Sequence, residues 1–281
     1  MNTLKYYATG NAPRDTPPGF SGYVPLTRMS DAVFPGCMLA ELGYLTEAFS
    51  NPDAGLSAHD SDELYMFIGL DPANPESLNA EISFRLENDA LTLRETCCVF
   101  IPRGAAHGGM SVASLGKPVL MLMWHTSSDA YASRPAEASA PRGAYAANVI
   151  TRYAPPSGVL PEAPDGFLEL LLFLDGARLS GAPYLESMWF LTKNDTGPPQ
   201  HAHPFAEIIG FAGTDAGSPS ELGASVDFYI EGERVTLTKP TLIYIPGGVR
   251  HGPLIVPEMS RPIIHFSCAA AHGYARLLRA D

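Results

Sequence analysis

Basic side chains are scarce in this chain: 18 Lys and Arg against 30 Asp and Glu in 281 residues leave a formal net charge of −12. A surface that tracks nucleic-acid phosphates rests on dense cations, so that class of function is excluded. Cysteine is almost as sparse. Cys37, Cys97, Cys98 and Cys268 share no zinc-type spacing and build no disulfide framework. They are expected as small buried hydrophobes in a reducing compartment. No apolar run reaches the roughly 18 residues that a membrane span requires; "FLELLLFLDG" is interrupted by Glu169 and Asp175. The opening "MNTLKYYATGNAPRDTPPGF" lacks an apolar h-region, so no signal peptide is expected and the cytoplasm is the simplest location. Glycine and proline, by contrast, are plentiful at 26 each, and they fall between strand-like runs as turn punctuation.

The chain also repeats itself. "SAHDSDELYMFIG" (57–69) matches "HAHPFAEIIGFAG" (201–213), and "VFIPRGAAHGG" (99–109) matches "IYIPGGVRHGP" (243–253). His59 and His203 stand 144 positions apart, as do Glu63 and Glu207, and His107 and His251. The same shift pairs Gly69 with Gly213, Glu87 with Glu231, Pro102 with Pro246 and Gly104 with Gly248, without a gap from 57 to 118. Such a register marks a tandem duplication. Each copy reads as short strands closed by Gly/Pro turns, which suits a small barrel or jelly roll. The expected organisation is an arm over 1–22, a barrel over 23–128, an Ala/Ser/Pro-rich strap over 129–160 and a second barrel over 161–281. The last stretch, "AAAHGYARLLRAD", reads as a short C-terminal helix.

Strand alternation puts the odd-numbered His201, His203 and Glu207 on one face. If that face is a barrel interior, an unpaired buried carboxylate beside two imidazoles is costly, and a divalent cation is the simplest compensation. His251 follows a "PGGVR" turn that can bring its strand back over the same interior. Three imidazoles and a carboxylate suit Fe, Mn, Ni, Cu or Zn, with positions left for water or substrate.

His201, His203 and Glu207, followed by Pro246, Gly248 and His251, form H-x-H-x₃-E and P-x-G-x₂-H. These resemble the paired motifs of the cupin superfamily, and with two copies the chain resembles a bicupin. Pro240 stands where a glycine is usual before the second motif's strand. The resemblance implies an all-β fold of two tandem cupin-type jelly-roll β-barrels. It implies one divalent transition metal in the C-terminal barrel, Fe(II) first, with Mn, Ni, Zn or Cu as alternatives. It also implies a small-molecule substrate, no nucleic-acid or membrane partner, and a monomer or homo-oligomer. The superfamily spans many activities. The first reading is an oxidoreductase of the dioxygenase type. The alternatives are a redox-neutral isomerase, decarboxylase or hydrolase, and a non-catalytic binding protein. No catalytic residue is assigned at this level.

The N-terminal copy departs at Ser57, which stands where His201 stands in the other. His59, Glu63 and His107 remain as a possible two-histidine, one-carboxylate site, or His59 and Glu63 pair with each other. Asp60 and Asp62 have the opposite parity and should face away. His265 is expected as a satisfied core histidine, and Phe205 as pocket wall or core. His125 and His272, near segment ends, are expected to be exposed.

Overall fold

Alternation becomes strand pairing along most of the chain. The structure, a computed structural model, describes residues 6–9, 21–51, 55–127, 133–158 and 160–277. Its first strands are β1 (Tyr7–Thr9), β2 (Tyr23–Met29), β3 (Leu39–Leu45), β4 (Leu56–Ala58), β5 (Glu63–Gly69) and β6 (Ser77–Leu86). They continue through β7 (Asp89–Glu95), β8 (Cys97–Ile101), β9 (His107–Leu115), β10 (Val119–His125), β11 (Arg134–Pro135) and β12 (Val149–Ile150). The second copy supplies β13 (Leu168–Leu174), β14 (Tyr184–Phe190), β15 (Glu207–Ala212) and β16 (Ala224–Ile230). It closes with β17 (Glu233–Leu237), β18 (Thr241–Ile245), β19 (His251–Met259) and β20 (Ile263–Ala269). β8, β9 and β10 have the same bounds as β18, β19 and β20 after the 144-residue shift.

Each barrel sets a six-stranded sheet against a smaller one. The N-terminal pair is β12-β8-β5-β10-β3-β2 with β11-β4-β9-β6-β7. The C-terminal pair is β1-β18-β15-β20-β14-β13 with β17-β16-β19. The arm and the strap are both woven in, and crosswise. Ala8 in the arm pairs with Leu242 of the C-terminal barrel, and Ile150 in the strap pairs with Cys98 of the N-terminal barrel. Leu242 and Cys98 are equivalent positions of the repeat, so each barrel takes the same edge strand from outside its own copy.

The six-stranded sheets are apolar on both faces. Odd residues such as Phe67, Val99 and Met121 fill the N-terminal barrel, and Ile209, Phe211 and Ile243 fill the C-terminal one. Even residues, among them Leu64, Leu122, Trp124, Ile208, Leu242 and Phe266, form a third core that packs the two sheets back to back. Removing that apolar area from water ties the barrels together, and the Tyr44 hydroxyl adds a hydrogen bond to Gly213 O at 2.7 Å. Cys97 and Cys98 divide between an interior and this interface, and all four cysteines are buried and free. Among the described residues, no helix is long and apolar enough to cross a membrane.

The expected C-terminal helix does not form over residues 270–277, which run as bends and irregular chain; residues 278–281 lie outside the described residues. The backbone groups of this segment are committed elsewhere. Ala271 O accepts from Tyr184 N, His272 O from Gly176 N, and Leu277 N donates to Ala202 O. Helical propensity is a weak preference beside such tertiary hydrogen bonds.

Candidate metal centres

The P-x-G-x₂-H motif has a mechanical explanation. Pro246 starts a turn closed by Val249 N to Pro246 O at 3.1 Å, and Gly248 takes φ +84°, a left-handed conformation that glycine adopts at little cost. Its N–H then donates to His203 O at 2.8 Å, which fastens the second motif to the first. The N-terminal copy repeats each step, with Ala105 N to Pro102 O at 3.0 Å and Gly104 N to His59 O at 2.9 Å. A further clamp comes from Glu87 and Glu231, both at φ +53°. Glu231 Oε1 accepts from Arg250 N at 2.6 Å and Glu87 Oε1 from Ala106 N at 2.8 Å. Each carboxylate thus holds the residue immediately before His251 or His107. The repeat alignment pairs these two glutamates, but their positioning role emerges only in three dimensions.

In the C-terminal barrel, His201 and His251 are joined by reciprocal backbone hydrogen bonds of 2.9 and 2.8 Å. The ligand-capable atoms of His201, His203 and His251 lie within 4.8 Å of one another. Glu207 Oε2 sits 3.3 Å from His251 Nε2 and 3.6 Å from His203 Nε2. Every Nδ1 is engaged outward: His201 with Pro199 O at 2.9 Å, His203 with Ala275 O at 2.6 Å and His251 with Val249 O at 3.1 Å. An Nδ1–H that donates to a carbonyl leaves Nε2 as a lone pair facing the interior, the tautomer a metal requires. Burial lowers the pKa of His203 and brings that of His201 to about 4, so both are neutral near pH 7. Burial alone would raise Glu207, but His251 and His203 hold its carboxyl below the usual range. Glu207 Oε2 and His203 Nε2 are buried without a hydrogen-bond partner. A divalent cation fits this arrangement of neutral nitrogens and one orphaned carboxylate oxygen.

In the N-terminal barrel, His59, Glu63 and His107 form the corresponding cluster within 4.8 Å. His59 Nδ1 is hydrogen-bonded to Glu63 Oε1, and His107 Nε2 lies 3.4 Å from Glu63 Oε2. Despite burial, these imidazoles hold the Glu63 carboxyl at about 2. Ser57 pairs across the strands with His107 in the place His201 takes opposite His251. The expectation that His125 is exposed is corrected: it is 0 % exposed, its Nε2 3.6 Å from Glu63 Oε2. β10 continues to its last residue, so His125 faces inward directly across from Glu63. His272 is exposed as expected, with Nδ1 engaged by Ala182 O at 3.0 Å. Asp60 and Asp62 face away as alternation requires, on Arg134 Nη1 at 2.6 Å and Arg103 N at 2.8 Å.

Three groups near the C-terminal cluster carry no signal in the motifs. Glu186 projects from β14 between the hydroxyls of Tyr153, 3.0 Å from its Oε2, and Tyr184. Its cross-strand partner is Ser267, which in turn pairs with Ile209, one inward step along β15 from Glu207. Desolvation raises its carboxyl pKa, and the Glu207 charge adds to the rise. A lone acid at the parity of Tyr184, Met188 and Phe190 in "YLESMWF" is the sequence signal that could have found it. Tyr274 and Arg276 come from the C-terminal segment. The Tyr274 ring packs 4.8 Å from His203 with its hydroxyl 3.4 Å from His201 Nε2, and Arg276 Nε donates to that hydroxyl at 2.9 Å. Phe205 stacks on His203, rings 5.2 Å apart.

His265 is the satisfied core histidine expected, flanked by Phe190 and Phe211 and bonded through Nδ1 to Gly210 O at 3.2 Å. Burial lowers its pKa from 6.5 to about 4. It is therefore neutral in the fold while the unfolded chain protonates first. Its contribution is fully present above pH 6.5 and lost as the pH falls from there to about 4. The whole effect is on the order of 3 kcal/mol. Denaturant titrations of chelator-treated protein should show wild type losing about that much more stability than His265→Gln across this window. Equal pH dependence in the two proteins would refute the assignment.

No family model and no curated protein matches this chain. Solved structures do. A Bacillus subtilis oxalate decarboxylase superposes with a TM-score of 0.61 at 9% identity, covering 97% of this chain and 78% of that one. The Lactobacillus farciminis oxalate decarboxylase formate complex gives 0.61 at 10% identity, covering 97% and 88%. At such identity the likeness is one of fold. Taken with the paired sheets, it shows the fold of two cupin-type jelly-roll barrels in tandem, the arrangement that the duplicated motifs resemble.

Proposed function

We propose that the C-terminal barrel is a metal-dependent, redox-neutral decarboxylase site for a small carboxylic acid. Glu186 carries this reading. It is a second carboxyl group on the interior wall, close enough to Glu207 to feel its charge, and desolvation favours its protonated form. When a carbon–carbon bond breaks and CO2 leaves, the electron pair stays on the remaining carbon, which must then take up a proton. Desolvation biases Glu186 towards holding one, and the Tyr153 hydroxyl hydrogen-bonds its Oε2. Oxygen insertion has no comparable need for a protonated acid, so the dioxygenase reading is the weaker one.

Arg276 places a cation whose field reaches His201, His203 and Glu186. A guanidinium there suits recognition of a carboxylate. A divalent cation held by His201, His203, Glu207 and His251 would supply Lewis-acid polarisation of the bound acid. The Tyr274 and Phe205 rings both pack against His203 and give the pocket an aromatic wall beside the cluster. The similar solved structures are oxalate decarboxylases, which supports redox-neutral chemistry and makes oxalate the first acid to test. Nitrogen-rich sites with one carboxylate accept Mn(II) and Fe(II) alike.

Protein loaded with Mn(II) or with Fe(II) should release one CO2 per molecule of acid consumed, without net oxygen uptake. Headspace analysis and an oxygen electrode, applied to oxalate and a panel of small mono- and dicarboxylic acids, measure both. Stoichiometric oxygen uptake would favour the dioxygenase. Saturable binding without turnover across the panel would favour a binding protein.

A further inference from the structure

We infer that the N-terminal barrel contains a second complete four-ligand metal centre, in which His125 on β10 replaces the imidazole lost at Ser57. The register carries the first part of the argument. Ser57 still occupies the position opposite His107 that His201 occupies opposite His251, so the site has lost a ligand and kept its backbone. The compensating imidazole appears only in the barrel that lost one. His125 pairs directly with Glu63, whereas the equivalent residue opposite Glu207 is Ala269. Directly opposed residues on neighbouring strands project from the same face, so His125 enters the pocket from a different wall.

Distances carry the second part. Donor atoms bound to one ion at about 2.1 Å stand roughly 3–3.5 Å apart. His107 Nε2 and His125 Nε2 lie 3.4 and 3.6 Å from Glu63 Oε2, close to that spacing without any metal restraint. The His59 ring centroid lies 5.2 Å from that of His107 and 5.1 Å from that of His125, so the three imidazoles surround one carboxylate. Ser61 Oγ approaches His125 Nδ1 at 3.5 Å, on the far side of the ring from Glu63, which leaves Nε2 as the inward-facing nitrogen.

Burial decides what kind of centre this is. His59, Glu63, His107 and His125 are 6, 1, 2 and 0 % exposed, whereas His201 in the other barrel is partly open. Four protein ligands sealed from solvent make a closed site, whose metal stabilises the fold and offers no position to substrate. Zn(II) and Co(II) suit three nitrogens and one oxygen in four-coordination. The inference shares with the proposed function only the premise that such clusters take a divalent cation. It is therefore tested where the C-terminal site has been removed.

Full-length protein carrying His201→Ala and His203→Ala, stripped with chelator, reloaded with Co(II) or Zn(II) and desalted, should retain close to one ion per chain by elemental analysis. Adding His125→Ala should weaken binding at least about 100-fold in competition with a chromophoric chelator, and adding Ser57→His to that variant should restore it. The Co(II) visible bands should disappear and return with the same substitutions. If His125→Ala does not fold, His125→Gln takes its place; it should keep the metal-free melting temperature and lose the ion. Undiminished affinity in a folded His125 variant, or no ion in the parent double variant, would overturn the inference.

Discussion

His201→Ala combined with His203→Ala should remove one metal ion per chain and lower CO2 release by at least three orders of magnitude, about 4 kcal/mol in the activation barrier. The two substitutions leave Glu207 and His251, a carboxylate and one imidazole, as the only intended ligands on that side. Such a pair does not compete with chelators for a first-row cation. The fold should survive, because His201 sits at the pocket rim and the strand cores lie on other residues. Circular dichroism and metal binding at the N-terminal cluster report on that directly. Unchanged metal content at this site in the double variant would dismantle the ligand assignment. Lost metal with retained turnover would move the chemistry out of the C-terminal barrel.

The second large effect is expected at Glu186. Glu186→Gln keeps the size and the hydrogen bond from Tyr153 but cannot deliver a proton. Metal content should stay as in wild type, KM should move only a few-fold, and kcat should fall about 100-fold or more. The pH profile separates this from a structural defect. A general acid works while protonated, so wild-type kcat should decline on the alkaline side as the Glu186 carboxyl ionises. The raised pKa shifts that decline above the usual carboxylate range. The residual activity of the Gln variant should lack that limb. A variant within threefold of wild type would leave Glu186 as a buried structural acid and return weight to the dioxygenase reading.

Much of the molecule was legible without coordinates because duplication and strand alternation are local, periodic properties. The 144-residue offset paired β8 with β18 and β9 with β19 before any sheet was known. Parity expected His201, His203 and Glu207 on one strand face, whereas β15 begins only at Glu207 and residues 202–206 run as irregular chain. The glycines of the second motif could be located, though not their reason, which is a left-handed turn whose N–H reaches His203 O or His59 O. Segments whose partners are distant in the chain were not legible. The C-terminal residues were read as a helix from their own composition, yet hydrogen bonds to Tyr184, Gly176 and Ala202 set their path over the pocket.

The chain by itself determined the duplicated barrels, the motif histidines and the serine at 57 in place of a histidine, since each is written in spacing along the sequence. Only tertiary structure placed His125 beside Glu63 and Glu186 near Glu207. His125 reaches Glu63 because β10 lies beside β5, and Glu186 reaches the pocket of Glu207 because β20 joins β14 to β15. Pairing between strands tens of residues apart is set by how sheets bury their faces, and no local pattern encodes which distant side chains will share a wall.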